Sequence, residues 1–416
     1  MVYVLNVNKK PLMPCTETKA RKLLKKNKAK IVKYTPFVIQ LLFECDNVTQ
    51  KINLGVDVGS KTIGLSATTK EKELYSAEVV LRNDISKLLL VRKQNRRARR
   101  SRLRYRKARF SNRVKNKKKG WLAPSVEHKI QTHLTCIKQV HNILPISKVI
   151  VETAQFDIQK INNPEIKGSE YQKGLTLGFS NVKEYILFRD KHTCQYCKGK
   201  SKEKKLEVHH IKFKSQGGSD KQDNLIVLCK VCHKKLHNQE IELKMKSGKS
   251  FAHASFMGIM RNTLLDRLKN LYEEVEETYG YITKKVRIEN NIPKQHRFDA
   301  LCISGNPKSK PIDVWFLSKK VRCHNRQIHK SKILKGGAKK LNQAPYEVKG
   351  YRLFDKVEYG GKEYFVFGRR SSGYFDIRDL MGNKIRNGSI SCKELKLIEI
   401  RKTFLIEGRE AIPLLA

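Results

Sequence analysis

The sequence predicts a multidomain α/β protein. Three observations carry that reading. Segments with strand-like alternation interleave with helix-forming segments over 416 residues, a paired-cysteine module interrupts them, and the C-terminal quarter turns to short aromatic and β-branched runs separated by glycines. An apolar fraction of 39% with 16 Phe, 15 Tyr and 2 Trp supplies packed cores, which argues against wholesale disorder. The length accommodates roughly two to four domains.

Residues 1–50 form a first module. Val2, Val4 and Asn6 alternate with Tyr3, Leu5 and Val7, and Pro11-Leu12-Met13-Pro14 breaks that strand. Thr16 to Lys28 is helix-forming, with Ala20, Leu23 and Leu24 on one side, and Ile31 to Glu44 returns to extended character. Residues 51–91 open with a hairpin in which Ile52, Leu54, Val56 and Val58 alternate with Asn53, Gly55, Asp57 and Gly59, resuming at Ile63 and Leu65. Residues 92–120 hold an arginine-rich helix, 121–160 contain a buried-strand pattern from Lys148 to Glu152, and 161–180 read as a linker. A cysteine and histidine module fills 181–245. Residues 246–312 carry an amphipathic helix marked by Leu264, Leu265, Leu268, Leu271, Tyr272 and Val275, and 313–416 read as a small basic β domain.

The 88 Lys and Arg against 39 Asp and Glu give a formal net charge of +49. Self-repulsion of that size argues against an ordinary enzyme of small neutral substrates and points to a polyanionic partner, of which nucleic acid is the obvious one. The charge is concentrated at Arg92, Arg96, Arg97, Arg99, Arg100, Arg102, Arg104, Arg106, Arg109 and Arg113, with no acid among them. A helix sets Arg92, Arg96, Arg100 and Arg104 on one stripe. Most charge runs are solvated faces, but each like-charged i, i+4 pair costs a few tenths of a kcal/mol, so this helix calls for phosphate partners. The lysines of the first ten residues follow the apolar stretch, the reverse of a secretory leader, and no run approaches the roughly 18 apolar residues of a membrane span. Ten cysteines are too sparse for a disulfide scaffold and suit a reducing compartment.

Four of those cysteines form two Cys-x-x-Cys pairs, Cys194/Cys197 and Cys229/Cys232, a spacing that suits a closed tetrahedral zinc site. Between the pairs lie adjacent His209 and His210, whose side chains leave a strand on opposite faces and so serve different purposes. Asn224 follows, then His233 and His237, which share one face of a helix and can bind one ion. Glu207 reads as a surface residue. This order of His-His, Asn and His resembles the HNH nuclease motif on a ββα-metal fold. The resemblance makes His210 the general base, His209, His233 and His237 the holders of a divalent ion on the scissile phosphate, and Asn224 the residue that fixes the catalytic loop.

Asp57 on the hairpin, Glu152 at a strand end, and His296 with Asp299 at the start of a helix each read alone as structural acids or caps. Together, and with Leu54-Gly55-Val56-Asp57-Val58-Gly59 around the first, they resemble the three pieces of a RuvC nuclease on a split RNase H-like fold. The resemblance implies two Mg²⁺ ions held by Asp57, Glu152 and Asp299, with His296 assisting water activation or proton transfer. Residues 51–91, 121–160 and 246–312 are then the RuvC parts, 92–120 an inserted bridge helix, 181–245 an inserted HNH module, and 1–50 a PLMP-type module.

The whole arrangement resembles the IscB family of transposon-associated RNA-guided endonucleases. That family implies a structured guide RNA (omega RNA), a double-stranded DNA target, HNH cutting of the guide-paired strand and RuvC cutting of the displaced one. It also implies a prokaryotic cytoplasmic setting, no membrane, and a C-terminal domain that meets the RNA or a target-adjacent motif. A monomer on one RNA is the simplest expectation. Two other readings stand beside it: a structure-specific or homing-type endonuclease that needs no RNA, and an inert guide-binding protein.

Overall fold

The computed structural model describes residues 1–46, 48–102, 120–153, 178–213, 216, 218, 220–243, 252–322, 332–333, 339–340, 345–385, 389–401 and 403–411. The chain divides into two compact units, one of residues 1–154 with 259–416 and one of residues 155–258.

The first unit is built on a seven-stranded sheet whose spatial order is Val275–Thr278, Lys148–Glu152, Asn53–Asp57, Thr62–Thr68, Glu73–Val80, Val314–Lys320 and Phe404–Glu410. The expected hairpin extends into a three-stranded antiparallel meander, and Lys148–Glu152 then pairs in parallel with its first strand, Val149 opposite Leu54. Ile52, Leu54, Val56, Ile63, Leu65, Ala67, Val149 and Val151 are buried. The helix Pro124–His141 buries Ile130, His133, Ile137 and Val140, an i, i+3, i+7, i+10 stripe, and opens with proline, whose missing N–H costs nothing there.

A second helix, His296–Ile303, packs so closely on the meander that glycine is required beneath it. A Cβ on Gly64 would meet the carbonyl oxygen of His296 at 1.9 Å, and one on Gly55 that of Ala300 at 2.1 Å. The two glycines therefore set the height at which His296 and Asp299 stand over the strand carrying Asp57.

Three departures from the sequence reading have local causes. The extended run from Ile31 to Glu44 is a hairpin of Ala29–Lys33 and Val38–Leu41, with Tyr3–Leu5 parallel to the second strand, because Thr35 and Pro36 interrupt it. The helix at Leu264 runs Ala252–Lys269 and stops before Leu271 and Tyr272, while Val275 opens a strand paired with Val149. Edge pairing there overrides helical periodicity. Finally, Val314–Lys320 and Phe404–Glu410, which flank the C-terminal β segment, belong to the large sheet. Between them lies a separate five-stranded sheet around Val357, Val366, Phe375 and Ile377. It is tied to the N-terminal module by Lys356 Nζ, 3.1 Å from Thr35 Oγ1, and Arg401 Nη2, 2.9 Å from the Thr35 carbonyl.

The arginine-rich helix begins earlier than the arginines, at Ile85, and is described to Arg102. Arg104, Arg106, Arg109 and Arg113, and most of the expected linker, lie outside the described residues. No helix among the described residues is long and apolar enough to cross a membrane.

The second unit has a ββα core. Leu206–His210 pairs antiparallel with Leu225–Cys229, and Lys230–His237 follows as a helix. Ile226, Leu228, Cys229 and Cys232 are buried with Cys194 in one cluster, and Leu225 and Val227 face Ile186 of the helix Val182–Arg189 in another.

Candidate active sites

In the second unit, strand alternation sends His209 inward, 4% exposed, against the helix that presents His233 and His237 one turn apart. One nitrogen of each ring lies within 4.8 Å of the others. The buried Nδ1 of His209 has no hydrogen-bond partner, and burial with the neighbouring His233 and His237 rings pushes this imidazole down to about 4. Three converging imidazoles, one with an orphaned buried nitrogen, fit a divalent transition ion.

Glu207 is where the sequence reading fails. Its Oε2 lies 2.9 Å from His233 Nδ1, so it fixes the ring and leaves Nε2 for the ion, as carboxylate partners of metal-ligating histidines do. Its position two residues before His209, on the same strand face, was the available signal.

His210 leaves the strand on the other side, and its Nε2 lies 2.8 Å from Asp220 Oδ1. His210, Asp220, Glu207 and His233 line one cavity of about 650 Å³. Asn224, 2% exposed, pins the loop after His210: its Oδ1 accepts from Lys212 N at 2.9 Å and its Nδ2 donates to the Lys212 carbonyl at 3.1 Å. Asp220 was not foreseen, since nothing in its spacing marks it.

The sulfurs of Cys194, Cys197, Cys229 and Cys232 also lie within 4.8 Å of one another. Ser201 stands 3.3 Å from Cys197 Sγ and 3.1 Å from Cys229 Sγ. Burial pushes the Cys197 thiol up, but hydrogen bonds led by Ser201 outweigh it and bring the thiol down to about 6. Four converging thiols with a hydroxyl beside them fit zinc.

In the first unit, parallel register sets Glu152 directly beside Asp57, which is itself opposite Gly64, and Gly64 is opposite Glu78. The helix over Gly64 brings His296 Nδ1 to 2.6 Å from Asp57 Oδ2. Burial pushes the Glu152 carboxyl up, and Asp57 and Asp299 push it the same way. Burial and Asp57 raise Asp299 as well, against Arg287, whose Nε is 3.3 Å from its Oδ1. Sequence reasoning missed Arg287 and Glu78, which accepts from Arg297 N at 3.2 Å. The three carboxylates share one field and so fit divalent cations in kind. On the arginine-rich helix Arg92, Arg96 and Arg97 are exposed.

Residues 2–174 match a family model described as RRXRR protein, and residues 194–239 match that of the HNH endonucleases. The first description spells a pattern found here as Arg96-Arg97-Ala98-Arg99-Arg100. Over 63 residues the chain is 41% identical to the Type IV methyl-directed restriction enzyme EcoKMcrA of Escherichia coli (strain K12), a match covering 14% of this chain and 22% of that enzyme. Among solved structures, Streptococcus thermophilus Cas9 in complex with an AGGA PAM aligns at a TM-score of 0.34 and 16% identity over 52% of this chain and 31% of that one. The Type II-C Cas9 of Actinomyces naeslundii aligns at 0.26 and 10% identity, over 62% and 60%. The chain thus matches about a fifth of its curated relative's length and a third of the first Cas9. It carries an HNH endonuclease domain.

Proposed function

We propose that the protein is an RNA-guided DNA endonuclease of the IscB type with two metal-dependent sites. The observation that carries the nuclease chemistry is the ion-binding triad His209, His233 and His237 with His210 on the opposite strand face, inside the segment that matches HNH endonucleases.

In that site His210 takes the proton of the attacking water, Asp220 orients the imidazole, Asn224 holds the loop, and Glu207 aligns His233. A divalent ion, when bound, stabilises the scissile phosphate and the leaving 3′-oxygen. In the RuvC-like site Asp57, Glu152 and Asp299 hold Mg²⁺, and His296 moves a proton. The HNH site cuts the guide-paired strand and the RuvC-like site the displaced strand. The net charge of +49 and the arginine-rich helix support a resident omega RNA. The four cysteines hold structural zinc.

A second reading, an RNA-independent endonuclease, is favoured by the identity to the restriction enzyme. One experiment separates the two. The protein is purified, any accompanying RNA is sequenced, and that RNA's variable end is tested for directing cleavage of a matching plasmid. Guided cleavage supports the proposal; cleavage without RNA establishes the second reading.

A further inference from the structure

A second cavity, of about 530 Å³, lies in the first unit and is lined by none of Asp57, Glu152 and Asp299. It forms where two parallel strands end side by side, Val80 opposite Lys319. The first strand continues through Arg82 and Asp84 into the arginine-rich helix, and the second through Val321 and Arg322. Phe354 and Met381, from turns flanking the five-stranded sheet, complete the wall.

The lining has two chemistries. Arg82, Lys319, Lys320 and Arg322 face a single acid, Asp84. Arg82 is held in place by a bidentate pair with that acid, at 2.9 and 3.0 Å. Lys319 Nζ is anchored on the Met381 carbonyl at 2.8 Å, which uses one of an ammonium's three donors. Opposite them, Phe354 belongs to the buried cluster with Leu317, Phe365 and Leu405, against which Val80 and Val321 pack, so the floor is apolar and rigid. A cationic wall against an aromatic floor, in a volume within the usual range for small ligands, suits a phosphate joined to a flat ring.

Its place in the chain decides which phosphate. Leu88, in the first turns of the helix, lines the cavity, and Arg92 and Arg96 follow it at i+4 and i+8 on the same stripe. A strand whose phosphates track those arginines therefore runs into the cavity mouth.

We propose that this cavity is a nucleotide-binding site for RNA, seating one nucleotide of the strand that follows the arginine-rich helix. Its phosphate lies against Arg82, Lys319 and Arg322, and its base against Phe354 and Met381. The assignment rests on the RNA-guided reading and adds a specific seat for one nucleotide.

The test uses the full chain and the RNA that accompanies it, transcribed with 4-thiouridine. Arg322→Glu is compared with Lys70→Glu, a charge-matched change at an exposed site elsewhere. Arg322→Glu should weaken RNA binding on the order of 10-fold beyond Lys70→Glu and lower the salt slope by about 1, and crosslinks should map to the peptide containing Met381. Equal affinities for the two variants, or crosslinks that miss that peptide, overturn the site while leaving guided cleavage standing. Loss of DNA binding alone reassigns the cavity to DNA and also overturns it. A wild-type chain that holds no RNA removes the guided reading and this proposal with it.

Discussion

Oδ2 of Asp57 and Nδ1 of His296 stand 2.6 Å apart, although 239 positions separate them in the chain. The hydrogen bond to Asp57 raises the pKa of His296, because the carboxylate favours the charged form of the imidazole. A divalent ion bound at Asp57 should weaken that support and move the His296 pKa back down. An NMR titration of the imidazole with and without Mg²⁺ checks this. An unchanged or higher value with the ion bound contradicts Asp57 as a ligand.

The proposed assignment of one strand to each site predicts a division of labour. Asp57→Ala should leave an enzyme that nicks only the guide-paired strand, and His210→Ala one that nicks only the other. Strand-specific labelling of a plasmid target distinguishes them. Double-strand cleavage by either variant refutes the assignment, as does continued cutting in a divalent chelator.

Glu207 should matter for metal affinity more than its half-buried position suggests. Because it fixes the His233 ring through Nδ1, Glu207→Ala should lower divalent affinity of the histidine site by about 10- to 100-fold. Glu207→Gln, which can still accept through its amide oxygen, should lose less. Competition with a metal-indicator dye measures both, and an affinity equal to wild type would return Glu207 to the surface role its sequence position first suggested.

The divergence and convergence of the histidines were legible from the chain because period and spacing dictate direction, whereas Asp57, Glu152, His296 and Asp299 were joined only by the resemblance to a RuvC nuclease. His209 and His210 diverge because strands alternate, and His233 and His237 converge because helices repeat. Partners supplied by tertiary structure were not legible. Arg287 reaches Asp299 from a neighbouring helix, and Glu78 enters through the register of a third strand that the sequence reading did not extend to. The fold departed where pairing overrode periodicity: Val275 continues an apolar helical pattern but is taken up by the sheet edge beside Val149. Only the helix above Gly55 and Gly64 shows why they are glycines.

The thiol cluster should carry the folding of the second unit. Its core is small, and four sulfurs within 4.8 Å tie the Cys194 turn to the strand and helix bearing Cys229 and Cys232. Cys197→Ala should therefore lower zinc content by one per chain and open residues 194–239 to proteolysis, with the RuvC-like cut retained. Intact zinc content, or protease resistance equal to wild type, would show that another set of contacts holds the unit.

The buried His133 predicts an acid limb in stability. It is 0% exposed, its Nδ1 lies 2.8 Å from the Lys129 carbonyl, its Nε2 is buried without a partner, and burial pushes its pKa down to about 4. An unfolded histidine titrates near 6.5, so between about 6.5 and 4 the unfolded chain binds a proton that the folded chain refuses. Stability from this residue is complete above that window and is lost as pH falls through it, at about 1.4 kcal/mol per unit and roughly 3 kcal/mol in all. Denaturant unfolding of wild type and His133→Gln across that window isolates the term, because both share every other titrating group. The wild-type curve should fall more steeply by about that amount; parallel curves would show that His133 is solvated or protonated in the folded state.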